Sequence, residues 1–221
     1  MLAGHVAAGF LGKRIAPSLS LGTAVAAGLA ADLLWGLFLI GGVESYEIVH
    51  PGRTIMTSEV VTHIDWSHSL ALDLVWAVLI AGVYFWWRRD RRAAWVLAAA
   101  VLSHWVLDFA SHKPDMPLAP GIAWYFGLGL WASIPGSLVV EGGLWVLAVV
   151  VYLRGTQAKR RAVHFVLWIG FAVITLAWYN NIAGPPPALN YRTAGVASLT
   201  FFLLISAWAF WINHWRTAAR G

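Results

Sequence analysis

Six long apolar runs, at 20–41, 66–87, 93–110, 134–153, 162–182 and 194–215, leave this 221-residue chain few ways to fold. Each approaches the roughly 20 residues that a helix needs to cross the hydrocarbon of a bilayer. Lipid offers the backbone no hydrogen-bond partner, so each run closes its own bonds as an α-helix. The balance of residues agrees: 60% are hydrophobic and 11% charged, against about a quarter charged in a soluble domain. The sequence therefore predicts an all-α integral membrane protein of about six transmembrane helices, forming a single membrane domain over 1–221. The apolar segment 1–11 is too short to span, and it ends at Lys13, Arg14 and Pro17. It reads as an N-terminal half-helix or surface helix rather than a cleaved signal, whose basic residues would come earlier.

Lys and Arg set the orientation. Twelve fall at Lys13, Arg14, Arg88, Arg89, Arg91, Arg92, Arg154, Lys159, Arg160, Arg161, Arg216 and Arg220, and three at Arg53, Lys113 and Arg192. The bias alternates from loop to loop, which puts both termini and two short basic loops in the cytoplasm and three longer loops outside. In this setting the net charge of +5 marks a membrane face and not nucleic acid. Trp86, Trp87, Trp124, Trp131, Trp211 and Trp215 sit near span ends, as an aromatic belt would. The segment 184–187 (GPPP) is a stiff outer turn between the last two spans.

Against this apolar background, Asp32, Asp73, Asp108 and Glu141 lie inside spans. An intramembrane carboxylate costs about 3 kcal/mol on insertion scales, so such groups face a cavity, a partner or an ion. Counting up from the cytoplasmic basic residues at about 1.5 Å per residue places all four in one layer, roughly 20 to 24 Å from the inner side. His104 lies on the same helix as Asp108, in SHWVLDFASH, where His104, Asp108 and His112 follow at i, i+4 and i+8. The first two stack on one helix face. In THIDWSHS, His63 and His68 crowd the entry to the second span, with Glu59 four residues before His63. His50, His164 and His214 read as loop or interfacial residues. With no cysteine in the chain, a metal here takes imidazole and carboxylate ligands, the donors of zinc, manganese and iron sites. His63, His68, His104, His112, Asp32, Asp73 and Asp108 give seven candidates, enough for two ions that clamp both oxygens of a phosphoester displacement. Asp73 and Glu141 are the candidates to orient a ligand or take a proton, with helix packing the alternative for Glu141.

The order Gly4-His5, Asp32 in GLAADLLW, THIDWSHSL and SHWVLDFASHKPDMPLAPG resembles bacterial inner-membrane metal-dependent hydrolases related to YdjM, over roughly the first 125 residues. Those in turn resemble the zinc-dependent phospholipase C and P1 nuclease group. The resemblance implies hydrolysis with a divalent transition metal, zinc foremost, as one to three ions. It implies His104 and Asp108 as a ligand pair, with His5, Asp32, His63 or His68, and His112 as further ligands. The segment 126–221 adds three spans without a recognised motif. The expected substrate is a lipid or other amphiphile, preferably a phosphoester, reached from the outer face of the inner (plasma) membrane, with 113–136 as a lid or a loop that merely packs. Lys113 would meet a phosphate or snorkel to the interface. The competing expectation is a proton- or ion-coupled transporter using the same His/Asp cluster. The inner halves of the second and third spans are nearly featureless apolar runs, which disfavours a through-path. A scaffold using metal for stability alone is the third expectation.

Overall fold

A computed structural model describes residues 1–50, 52, 54 and 58–219; Arg53 and Arg220, and the side chain of Glu59 that the sequence pairs with His63, lie outside the described residues. The five later runs are unbroken helices: α4 (Leu70–Arg88), α5 (Arg91–Ser111), α6 (Ile134–Gly155), α7 (Arg161–Ala183) and α8 (Tyr191–Trp215). Each is long and apolar enough to cross a membrane. Their bounds are set by local chemistry. Ser69, Asp90, Ser133 and Asn190 cap the N-termini of α4, α5, α6 and α8 with side-chain oxygens that accept early backbone N–H groups. Large apolar side chains such as Val78, Trp86, Trp95, Phe165 and Leu176 stay exposed on the bundle's outside, where lipid takes the place of a core.

The first run departs from the expected straight span. It is two helices, α2 (Leu21–Gly28) and α3 (Ala30–Gly41), bent by 60° at Leu29. A Cβ on Gly28 would collide with the carbonyl of His5, so glycine alone permits this close crossing of the two backbones. The bend leaves α3 free to lie along α8, where Gly36 and Gly195 again admit tight contact.

The N-terminal segment is also corrected in part. It is a half-helix, α1 (Leu2–Ile15), but it lies inside the bundle and not on its surface. Ala3, Val6, Ala7 and Phe10 are fully buried, and α1 packs against α2, α5, α6 and α7. Fourteen residues rise only about 21 Å. From its basic end at Lys13 and Arg14, α1 thus stops part-way across the bundle, so Met1 lies in the interior beside Asp108 and not, as the charge bias predicts for both termini, at the basic face.

Outside the helices, strands β1 (Ser45–His50) and β2 (Glu59–His63) form an antiparallel hairpin between α3 and α4. Two short pairs follow: β3 (Met116–Pro117) with β4 (Tyr125–Phe126), and β5 (Thr156–Ala158) with β6 (Arg216–Ala218). The second pair ties the C-terminal ends of α6 and α8 together. Arg14 lies against Gly155 there, and Ser18 bonds Asp90 in the turn between α4 and α5. These contacts gather the basic segments at one end of the bundle.

Because the chain has no cysteine, single-cysteine labelling tests the orientation cleanly. Ala123→Cys, exposed on the outer side, is expected to react with an impermeant thiol reagent on intact cells. Gln157→Cys, exposed on β5, is expected to react only after permeabilisation. The reverse pattern contradicts the assigned topology.

Candidate metal centre

Four donors, three buried and Asp32 half-buried, meet between α3, α5 and the residue preceding the cap of α4. On α5, His104 and Asp108 share one face, and His104 Nε2 lies 3.2 Å from Asp108 Oδ2. His68 Nε2 lies 3.9 Å from the same Asp108 oxygen and 3.9 Å from Asp32 Oδ1. Asp32, in the first turn of α3 just past the bend, stands 4.0 Å from His104 Nε2. Tetrahedral ligands with bonds of about 2.0–2.1 Å are spaced about 3.3 Å apart, so this set needs little contraction to hold an ion. His68, His104 and Asp108 form one grouping with donor atoms all within 4.8 Å, and His5, Asp32 and His104 form another.

The imidazoles are aimed from behind. His104 Nδ1 lies 2.8 Å from the carbonyl oxygen of Gly28. That oxygen can only accept, so Nδ1 carries a proton, and Nε2 is the atom that faces Asp108 and His68. The 60° bend puts that carbonyl, the last of α2, within reach of the ring. His68 Nδ1 lies 2.7 Å from Ser67 Oγ, which donates to Glu44 Oε2 at 2.7 Å. With its hydrogen so used, Ser67 accepts from His68, and Nε2 is again the free face. Glu44 is held by the backbone N–H groups of Trp66 and Ser67 at 2.9 and 2.8 Å. Burial pushes its carboxyl above the usual carboxylate range, opposed by the bonds from Ser67 and Trp66. The turn that places Glu44 starts at Gly42, whose φ of +70° suits glycine. His104 Nε2 is buried with no hydrogen-bond partner. A buried Nε2 among carboxylates, backed by an anchored Nδ1, is the arrangement metal-binding histidines use.

Around these four lie two further groups. The ring of His5, on α1, stacks on His104 at 3.6 Å. Its Nε2 lies 3.0 Å from Asp108 Oδ1, which also takes the Met1 nitrogen at 2.5 Å. Glu141, on α6, accepts from the N–H groups of Ala3 and Gly4 at 3.0 and 3.3 Å, capping α1 across the bundle. Its Oε2 is buried without a partner.

Of the sequence candidates, His5, Asp32, His68, His104 and Asp108 thus come together. His63 does not: it is exposed on β2, whose alternation turns it away. His112 follows the end of α5, bonds Asp115 at 2.9 Å and packs on Trp131, bordering the site without joining either donor grouping. Asp73 is buried where α4 meets α5, near Trp105, and is absent from the cavity wall. Sequence reasoning missed Glu44 and Ser67. The adjacency of Ser67 to His68 was a signal, but Glu44 looked like one acid among several in an outer loop.

The cluster opens into a cavity of about 390 Å³. Its polar end holds His5, Asp32, His68, Asp108 and Glu141, with Lys113, Asn180 and Asn181 also on the wall. Leu2, Trp178, Ile182, Ala194 and Phe202 supply an apolar side from α1, α7 and α8. Of the three C-terminal spans, for which the sequence offered no role, α7 and α8 therefore furnish part of the apolar wall, and α6 adds Glu141.

The relay behind His68 carries a prediction. Glu44→Gln and Ser67→Ala are each expected to weaken zinc binding about 10- to 100-fold, measured by chelator competition, with the helical content unchanged. Unaltered affinity in both variants would show that the relay does not orient His68. No family model, curated protein or solved structure matches this chain, so the site stands on its donor geometry alone.

Proposed function

We propose that this multi-span protein is a membrane-embedded metal-dependent hydrolase, acting on a phosphoester of a lipid or similar amphiphile near the outer leaflet. One observation carries the reading: two imidazole Nε2 atoms and two carboxylates, each imidazole anchored from behind, face one another, with Asp32, His68 and Asp108 on the polar wall of a largely apolar cavity and His104 buried behind them. His68, His104, Asp32 and Asp108 would hold a divalent transition ion, with His5 as a neighbour that shares Asp108. Such an ion supplies Lewis acidity towards a water and a scissile phosphoester.

The chain's own groups support the rest. The unpartnered Oε2 of Glu141 is a proton acceptor on the cavity wall, fixed in place because Oε1 is held by α1. Lys113, Asn180 and Asn181 offer cationic and amide groups to a phosphate headgroup, and Trp178, Ile182 and Phe202 offer an apolar rest for a tail. Asp73 fits a supporting role behind His104 better than direct proton transfer, since it does not line the cavity. A kinship with YdjM-related hydrolases, which the sequence motifs suggest, would imply the same chemistry. A proton-coupled transporter would need polar groups continuing towards the inner face, and α5 between Ala93 and Val101 presents Ala, Leu and Val to its neighbours.

Two measurements test the proposal. Metal analysis of the detergent-purified protein is expected to find at least one transition ion per chain, lost from the His104→Ala/Asp108→Ala double variant. Screening phosphoester amphiphiles is expected to reveal metal-dependent release that the double variant lacks. A folded, metal-free wild-type protein ends the hydrolase reading, and bound metal without turnover on any such ester reduces it to a structural site.

A further inference from the structure

A second cavity, of about 220 Å³, lies at the opposite, basic end of the bundle, between the C-terminal ends of α1, α6 and α8. Lys13, Arg14 and Arg216 line it, and among the described residues no carboxylate does. Arg216 is only 7% exposed, an unusual depth for a guanidinium without a carboxylate partner. Its Nε and Nη2 donate to Thr156 Oγ1 and the Thr156 carbonyl at 2.9 and 2.8 Å, and its head lies over the Tyr152 ring. Nη1 is buried with no hydrogen-bond partner. Lys13 Nζ donates to the carbonyls of Pro17 and Leu19, which leaves one of its three hydrogens. Arg14 runs along Gly155 with its head exposed.

Three cations converging on one cavity repel each other unless an anion joins them. Asp90, the acid in the nearby cytoplasmic turn, is committed to Ser18 and the N–H of Ala93. Asn213, on the wall, accepts from the N–H of Leu21 through Oδ1, which leaves its amide N–H groups as further donors. A water occupies about 30 Å³, so the space admits a phosphate and the first atoms of an attached alcohol.

We propose that this cavity binds a phosphate anion at the cytoplasmic surface, carried by an anionic phospholipid headgroup or taken up free. Planar guanidinium groups with spare N–H donors match phosphate oxygens, and basic pockets between helices on the cytoplasmic side suit anionic headgroups. The anion would close the clip formed by β5 and β6 on α1 and so brace the inner end of the half-helix that carries His5. The site is independent of the hydrolase reading, because none of its residues touches the metal centre.

The test uses the full chain in mild detergent, with phosphatidylglycerol, phosphatidylcholine and inorganic phosphate as separate probes. Native mass spectrometry counts retained lipid, and thermal unfolding reads the effect of phosphate. A headgroup site retains one phosphatidylglycerol in preference to phosphatidylcholine. A free-phosphate site instead shows stabilisation by inorganic phosphate alone. In either case Arg14→Gln, which removes an exposed group and leaves folding intact, weakens the effect about fivefold, and Arg216→Lys weakens it further with zinc content unchanged. No preference between the lipids together with no phosphate effect overturns the proposal, as does any preference or phosphate effect that survives both substitutions.

Discussion

The cost of placing ionised carboxylates among apolar helices governs this structure. Asp32 and Asp108 lie within 4 Å of the same imidazole nitrogens, in surroundings where water compensates little. With neutral imidazoles the pair carries two negative charges, of which the Met1 ammonium on Asp108 offsets one. A divalent cation would offset the remainder, and the anchored Nδ1 positions leave each Nε2 as the atom that would meet it. The same constraint explains the architecture nearby. A helix broken at Leu29, a half-helix stopping inside the bundle and a glutamate reaching across to cap it would each be a liability in a purely structural bundle. Here each delivers a donor or an acceptor to one point.

The broken helix links backbone and chemistry most directly. If α2 and α3 formed a straight span, the Gly28 carbonyl would be bonded along the helix and Asp32 would point elsewhere. The bend supplies an acceptor for His104 and swings Asp32 towards it. α1 fits against that crossing because Gly28 admits the His5 carbonyl, which in turn seats the His5 ring on His104. Packing and ligation therefore share residues.

Much of this was legible in the sequence. Five helices match the apolar runs to within a few residues, because lipid forces helix and length fixes the ends. The i, i+4 spacing of His104 and Asp108 needed only a helix to be right. What hydropathy could not see was the bend at Leu29, since the run GLAADLLW is apolar on both sides and contains no proline. The interior position of α1 was signalled by Gly4, Gly9 and Gly12, small residues that allow close helix contact, but its shortness suggested a surface location. The choice between His63 and His68 turned on a hairpin whose pairing is set by contacts distant in sequence. Glu44 was invisible for the same reason: its partners lie 22 and 23 residues away.

The most direct measurement is X-ray absorption at the zinc edge of the zinc-loaded protein. The account predicts nitrogen and oxygen donors at about 2.0–2.1 Å with the multiple-scattering pattern of bound imidazole, diminished in His68→Ala and again in His104→Ala. A spectrum without imidazole, or one that neither substitution changes, would contradict it.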